Sequence, residues 1–123
     1  MITIIYSAGI YSLLFALFHM GFWKMFKWNK ELKKLDEINK AVVPVMNIHL
    51  IYCMLVVAFI CFVFPCELMN TKLGYVFLLG CSGFWLLRTV NQFIFFKTNG
   101  VATYVLTVIL LVGVALFALP VFM

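Results

Sequence analysis

Charged residues are scarce in this chain of 123 residues, where they make up 11% of the sequence against 67% for hydrophobic residues. A soluble domain usually carries about 25% charged residues, and a disordered chain combines low hydrophobicity with high net charge. The composition therefore excludes a soluble globular protein and a disordered one. It is typical of a protein that crosses a membrane several times.

The four cysteines, Cys53, Cys61, Cys66 and Cys81, form no Cys-x-x-Cys pair. Quinone-linked disulfide oxidases built on four-span bundles use such a pair, so this redox function loses its main support. We expect Cys53 and Cys61 to pack as small hydrophobic side chains. Cys66 could pair with Cys81, although their spacing does not require it.

No aspartate or glutamate falls inside a predicted span, and no lysine or arginine occurs in the first six residues. Four-span multidrug exporters have about this length, but their coupling depends on a membrane-embedded carboxylate. Small-molecule transport is therefore the weakest function considered. Without a basic start, the first apolar stretch is expected to be a retained span and not a signal peptide.

Four apolar stretches occupy most of the chain. A transmembrane helix needs roughly 20 mostly apolar residues, so the length allows four spans and short connections. We predict spans at about 2–23, 42–64, 73–96 and 101–122. The predicted fold is all-α: a single integral-membrane domain, 1–123, that forms an antiparallel four-helix transmembrane bundle.

The lysines predict the orientation of this bundle. Seven lysines lie on the first and third connections, whereas the opposite side carries only Lys72 with Glu67. By the positive-inside rule, the first and third connections face the cytoplasm. We therefore expect a multi-pass protein of the bacterial cytoplasmic (inner) membrane, with both termini on the non-cytoplasmic side. Because the positive charge is confined to a membrane-flanking segment, nucleic-acid binding is a poor interpretation.

The first connection is predicted to contain a short amphipathic interfacial helix at about 29–39, capped by Asn29. Its aromatic and basic residues suit the headgroup region of a membrane. They suit a docking surface for a partner protein equally well, and the sequence does not separate the two. The predicted lipid or partner interface comprises Trp23, Lys24, Lys27, Trp28, Leu32 and Leu35.

The pocket candidates inside the spans fall in the predicted inner half of the bilayer, where each is costly to bury, and the outer half is almost wholly apolar. Ala8, Ser12, Ala16 and His19 form one stripe of the first span, and small residues there let helices approach closely. We predict that the polar faces converge on one pocket. Its candidate residues are His19, Asn47, His49, Tyr52, Trp85, Arg88, Asn91, Gln92, Thr103 and Thr107.

Four interpretations of this pocket stay open at the sequence level. Its groups can satisfy one another and fix the bundle, or hold a lipid-like ligand. Alternatively, His19 and His49 can ligate a haem b iron while Arg88 pairs with a propionate, or the same residues can bind a quinone. A closed metal site lacks a third ligand at the same depth.

The runs from His19 to Trp28 and from Asn47 to His49, with Trp85-Leu-Leu-Arg88, resemble a family of small four-span bacterial membrane proteins with no established activity. The resemblance covers nearly the whole chain and implies the same four-span fold. We expect a non-enzymatic protein with no catalytic residues. It is predicted to be an accessory or structural subunit that contacts membrane lipids and other subunits or copies of itself.

Overall fold

A computed structural model describes residues 2–95 and 100–122, without the side chain of Phe95. Almost all of these residues are helical, and no strand occurs among them. The all-helical character predicted from the sequence is confirmed. The helices are α1 (Ile2–Met20), α2 (Phe22–Met25), α3 (Trp28–Glu31), α4 (Glu37–Val63), α5 (Pro65–Asn70), α6 (Lys72–Phe95) and α7 (Val101–Phe122).

Helices α1, α4, α6 and α7 are long and apolar enough to cross a membrane. Little of their apolar surface is covered by the chain itself. Of the most apolar 18-residue stretch in each, 39% is buried in α1, 28% in α6, and 22% in both α4 and α7. Most apolar side chains of these four helices therefore face outward.

Helix α4 begins at Glu37, several residues before the predicted start of the second span. The reason lies in its first turn, where the Asp36 Oδ1 atom accepts a hydrogen bond from the Asn39 backbone N–H at 3.0 Å. An aspartate cap and a glutamate in the first turn both stabilise a helix N-terminus. Because the helix begins this early, Pro44 lies within it and beyond its first turn.

The first connection is more broken than the predicted helix over 29–39. Helix α3 is only four residues long and is followed by a 3₁₀ turn, Leu32–Lys34. The N-cap position of α3 is Lys27, in the left-handed conformation with φ 53° and ψ 48°, so the prediction that Asn29 caps this helix is wrong. Leu35 is extended, which ends the helical path before α4 begins.

Pro65 follows the end of α4 and opens a short helix that lies between the second and third predicted spans. Proline suits the first turn of a helix because its missing N–H has no intrahelical partner there. Thr71 then joins α5 to α6. Its Oγ1 donates to the Glu67 carbonyl at 2.7 Å and accepts the Gly74 N–H at 2.9 Å.

The chain divides into two compact units. The first combines the opening eight residues with the chain from Cys61 onward, and its most buried large side chains include Ile5, Leu78 and Phe117. In this unit α6 packs on α7. The Ser82 Oγ donates a hydrogen bond to the Val114 carbonyl at 2.9 Å, which ties the two helices together.

The second unit runs from Gly9 to Ile60 and contains α2, α3 and parts of α1 and α4. Its buried residues include Ser12, Ala16, Met54 and Ala58. Together with the buried Ala8 of the first unit, Ser12 and Ala16 form the small-residue stripe predicted for α1. The burial expected for these three positions is confirmed.

Candidate functional site

The second unit carries a groove with a volume of about 350 Å³, which we call the apolar groove. Ligand sites in proteins usually occupy about 300–1,000 Å³ and are mostly apolar with a few placed polar groups. The apolar groove has this character, since only two of its lining residues are polar. It is lined by His19, Phe22, Trp28, Val43, Met46, Asn47 and Leu50.

Helix α4 supplies one wall of the apolar groove through positions 43, 46, 47 and 50. This i, i+3, i+4, i+7 spacing places the four side chains on one face of a helix. From residue 43 to residue 50 the wall extends about 10 Å along the helix axis. The α4 wall of the groove is therefore long enough to contact several carbons of an extended apolar group.

Rings from α1, α2 and α3 form an aromatic wall of the apolar groove. The His19 and Phe22 ring centroids are 4.4 Å apart, and Phe22 meets Trp28 edge-on at 5.9 Å. Trp23 packs against Trp28 in the same manner at 5.7 Å. Edge-on and tilted aromatic pairs stabilise each other beyond simple burial, so this wall is braced by ring contacts.

The two polar residues of the groove are connected. The Asn47 Nδ2 donates a hydrogen bond to the His19 backbone carbonyl at 3.0 Å. That carbonyl lies in the last turn of α1, where backbone oxygens have no partner within the helix. Buried Asn47 therefore satisfies an orphan oxygen of α1 and joins α1 to α4 at the groove.

The tautomers of His19 and His49 can be assigned because each imidazole lies beside a backbone carbonyl oxygen. The Nδ1 of His19 lies 2.8 Å from the Phe15 carbonyl, and the Nδ1 of His49 lies 2.9 Å from the Val45 carbonyl. Since a carbonyl only accepts, each Nδ1 carries the proton and donates it. His49, however, is exposed and does not line the apolar groove.

A second depression, of about 480 Å³, adjoins the apolar groove and shares Trp28 and Val43 with it. We call it the charged groove because Glu31 and Lys34 line it as an ion pair, with Lys34 Nζ 3.1 Å from Glu31 Oε2. Its other walls are apolar. The remaining lining residues are Phe26, Leu32 and Leu35.

The predicted lipid or partner interface is only partly a surface. Trp23, Lys24, Lys27 and Leu35 are exposed, and Trp28 is half-buried between the two grooves. Leu32 is buried at 8% exposure, so it packs within the second unit. The exposed members still combine aromatic and basic side chains.

Four further pocket candidates lie on α6 in the first unit, and three of them are connected with a fifth residue or with one another. Trp85 and Gln92 are buried, and Arg88 is half-buried. The Arg88 Nη1 donates to the Gln92 Oε1 at 3.1 Å, one helical turn away. Thr89, which the sequence analysis did not select, is also buried and donates to the Trp85 carbonyl at 2.8 Å. These contacts all lie within one helix.

The other candidates contribute less to any enclosed site. Asn91 is half-buried, whereas Tyr52 is 67% exposed. Thr103 and Thr107 are half-buried on α7, and the Thr107 Oγ1 donates to the Thr103 carbonyl at 2.9 Å. A hydroxyl bonded to the carbonyl four residues earlier is the usual way in which a helix satisfies threonine.

The structure thus brings together His19 and Asn47 in one unit, and Arg88 and Gln92 in the other. The sequence analysis missed the apolar members of the groove: Phe22, Val43, Met46 and Leu50. The helical spacing of Val43, Met46 and Leu50 around Asn47 is the signal that could have identified three of them. Apolar side chains are common throughout the spans, so selecting pocket candidates by their polar side chains did not identify them.

Haem and quinone binding stay predictions. Across residues 2–95 and 100–122, no group of three His, Cys, Asp or Glu residues could hold a metal ion. All four cysteines are free, with Cys61 buried and Cys53 and Cys66 exposed. The expected packing of Cys61 is confirmed, whereas exposed Cys53 is not packed within the chain.

No family model, curated protein or solved structure matches this chain. The resemblance drawn from its short motifs therefore stays a prediction.

Proposed function

We propose that this chain is a small, non-enzymatic, multi-pass membrane protein whose apolar groove holds a lipid-like ligand. In this proposal it acts as an accessory or structural subunit of a larger assembly in the bacterial inner membrane. The observation that carries the proposal is the apolar groove of about 350 Å³, formed by α1, α2, α3 and α4 within one compact unit.

The outward-facing apolar surface of the four long helices supports a membrane location. Helices of a soluble domain turn one apolar stripe toward a core, whereas helices that are apolar all round sit in lipid or in a protein interior. Here no more than 39% of the most apolar stretch of any of the four is buried by the chain. Lipid or partner helices would cover the rest.

The packing of α6 on α7 supports an antiparallel arrangement of the last two spans. The bond between Ser82 and Val114 joins positions at similar distances before and after the connection between these helices. With short connections throughout, the proposed topology is up-down-up-down, and both termini lie outside the cytoplasm. The basic segment between α1 and α4 then faces the cytoplasm.

The polar groups of the spans support a structural role over catalysis. Ser7, Thr89 and Thr107 each donate a hydrogen bond to the carbonyl four residues earlier. The Asn47 side chain donates a hydrogen bond to the His19 carbonyl at the end of α1, and Arg88 donates one to Gln92 on its own helix. Such bonds satisfy polar groups in an apolar environment, and the Asn47 bond also joins two helices.

Filling the groove tests the ligand part of the proposal. Full-length protein released in mild detergent should carry a lipid adduct in native mass spectrometry. Val43→Phe should reduce the adduct because residue 43 lines the groove, and Leu50→Phe should act in the same way from the other end. Val45→Phe is the matched control, since Val45 lies two residues away, is 50% exposed and does not line the groove.

An adduct that is absent from the wild type, or equally abundant in Val43→Phe, Leu50→Phe and Val45→Phe, contradicts the ligand proposal. The subunit part has its own test. Chromosomally tagged protein in gently solubilised membranes should migrate on a native gel well above the mass of a lone chain with its detergent. Migration as a single chain contradicts an accessory role.

A further inference from the structure

The two grooves of the second unit form one amphipathic track. Met46 and Leu50 line only the apolar groove, whereas Glu31 and Lys34 line only the charged groove. Trp28 and Val43 belong to both. A ligand that spans the track needs an apolar portion and a charged or polar portion, which is the chemistry of a lipid.

Charge decides which lipid fits. Between Lys24 and Lys40 the chain has six lysines and three acidic residues, so the segment carries 6 − 3 = +3. Two of the three acids already have partners, because Asp36 caps α4 and Glu31 accepts the Lys34 ammonium. The segment that carries the charged groove therefore has a net positive charge.

The Glu31–Lys34 pair does not cancel this preference. Both side chains are well exposed, at 50% and 67% respectively. Exposed ion pairs are weak and readily exchanged. A lipid phosphate can share the Lys34 ammonium without breaking a buried contact, and the other exposed lysines of the segment add to the local positive potential.

From these observations, we propose that the occupant of the track is an anionic phospholipid. Its phosphate lies at the Lys34 end, and one acyl chain passes Trp28 and runs beside α4 toward Leu50. This proposal rests on the proposed function, namely that the groove holds a lipid-like ligand, and it names the chemical class of that ligand. The ring contacts of Trp28 with Phe22 and Trp23 hold the indole in place, so the acyl chain meets a preformed aromatic surface.

Trp28 offers a direct reporter because it stands at the junction of the two grooves. Bromine on an acyl chain quenches indole fluorescence on contact. The full chain contains three tryptophans, so a Trp23→Phe, Trp85→Phe background leaves Trp28 as the only one. In detergent micelles, brominated phosphatidylglycerol should quench Trp28 at lower mole fraction than brominated phosphatidylcholine. The bromine is on the acyl chain, so the signal reports lipid and not free phosphate.

Three charge variants sharpen the test. Lys34→Gln should weaken the phosphatidylglycerol response about five-fold, the effect expected for one lysine near an anionic headgroup. Glu31→Gln should strengthen it, because it removes the carboxylate that competes for Lys34. Lys72→Gln is the matched control, since Lys72 is an exposed lysine outside the basic segment, and it should leave the response unchanged.

The outcomes separate the two proposals. Equal quenching by the two lipids, or a Lys34→Gln response identical to that of Lys72→Gln, overturns the anionic preference while leaving a lipid-filled groove intact. Absence of quenching by both lipids overturns the lipid-filled groove itself, and the anionic preference with it. Selective quenching that follows the charge variants in the stated directions supports both.

Discussion

Gly74 provides the sharpest test of the structure. It lies in the first turn of α6, is buried, and donates its N–H to the Thr71 Oγ1 at 2.9 Å. A Cβ placed on Gly74 would collide with the Leu68 carbonyl oxygen. It would also come within 2.5 Å of the Leu68 Cα and 2.7 Å of the Glu67 carbonyl oxygen. All three are backbone atoms, so no side-chain rotation relieves the clash.

Two opposing effects set the size of the change in Gly74→Ala. Alanine is favoured over glycine within a helix by up to about 1 kcal/mol in water, and by less where lipid already enforces a helical backbone. Overpacking a filled site costs about 1–3 kcal/mol, and more where backbone must shift. We therefore expect Gly74→Ala to lower the free energy of unfolding by about 1–3 kcal/mol.

The same substitution elsewhere in α6 supplies the control. A Cβ on Gly80 or Gly83 meets no atom within 4 Å, so Gly80→Ala and Gly83→Ala should be neutral or stabilising by up to about 1 kcal/mol. Unfolding of the full chain in mixed micelles, followed by circular dichroism during a titration with sodium dodecyl sulfate, measures all three variants. If Gly74→Ala proves as stable as Gly80→Ala, the close approach of α5 to α6 is refuted.

Three further predictions concern the second unit. In the same unfolding titration, Asn47→Ala should lower the free energy of unfolding by about 0.6 kcal/mol, the average for hydrogen bonds between membrane helices, and by about 1.7 kcal/mol at most. No change would mean that the bond to the His19 carbonyl does not stabilise the fold. Lys27→Gly should raise the free energy of unfolding by about 1 kcal/mol, because glycine adopts the left-handed conformation without the strain that a side chain causes. Lys24→Gly, inside α2, should lower it by a similar amount. Equal effects of the two substitutions would argue against the left-handed turn. Absorption spectra before and after dithionite should show no haem band. His19→Ala should lower the free energy of unfolding more than His49→Ala, since only His19 lines the groove. A haem band that is lost equally in both variants would support the haem interpretation instead.

Hydrophobicity was enough to predict the four long helices. Continuous apolar stretches of about 20 residues leave few alternatives for a backbone that must satisfy its own hydrogen bonds. Their ends were harder to place, because a single cap can shift them. Asp36 starts α4 ahead of the predicted span, and Pro65 both ends α4 and opens α5. These are local backbone effects that an average over hydropathy does not contain.

The candidate site was predictable only through its polar members. His19 and Asn47 were selected by residue type, and the structure connects them through a backbone carbonyl, a contact with no signature in side-chain chemistry. His49 has the same residue type and a similar predicted depth, but its position on α4 leaves it outside the groove. Residue type gives the chemistry that is possible, whereas the helix face decides which residues share a site.

The shape of the groove depends on one unfavourable backbone conformation. Lys27 is left-handed and stands between the short helices that carry Phe22 and Trp28, and a left-handed residue other than glycine costs about 1–2 kcal/mol. The contacts of Trp28 with Phe22 and Trp23 stabilise by about 0.5–1.5 kcal/mol each. The two contacts can therefore offset the cost of the turn. A continuous helix across residue 27 would avoid that cost, but it would separate residues 22 and 28 by about 9 Å along its axis. Helical periodicity does not predict the turn at Lys27, yet this turn gives the apolar groove its aromatic wall.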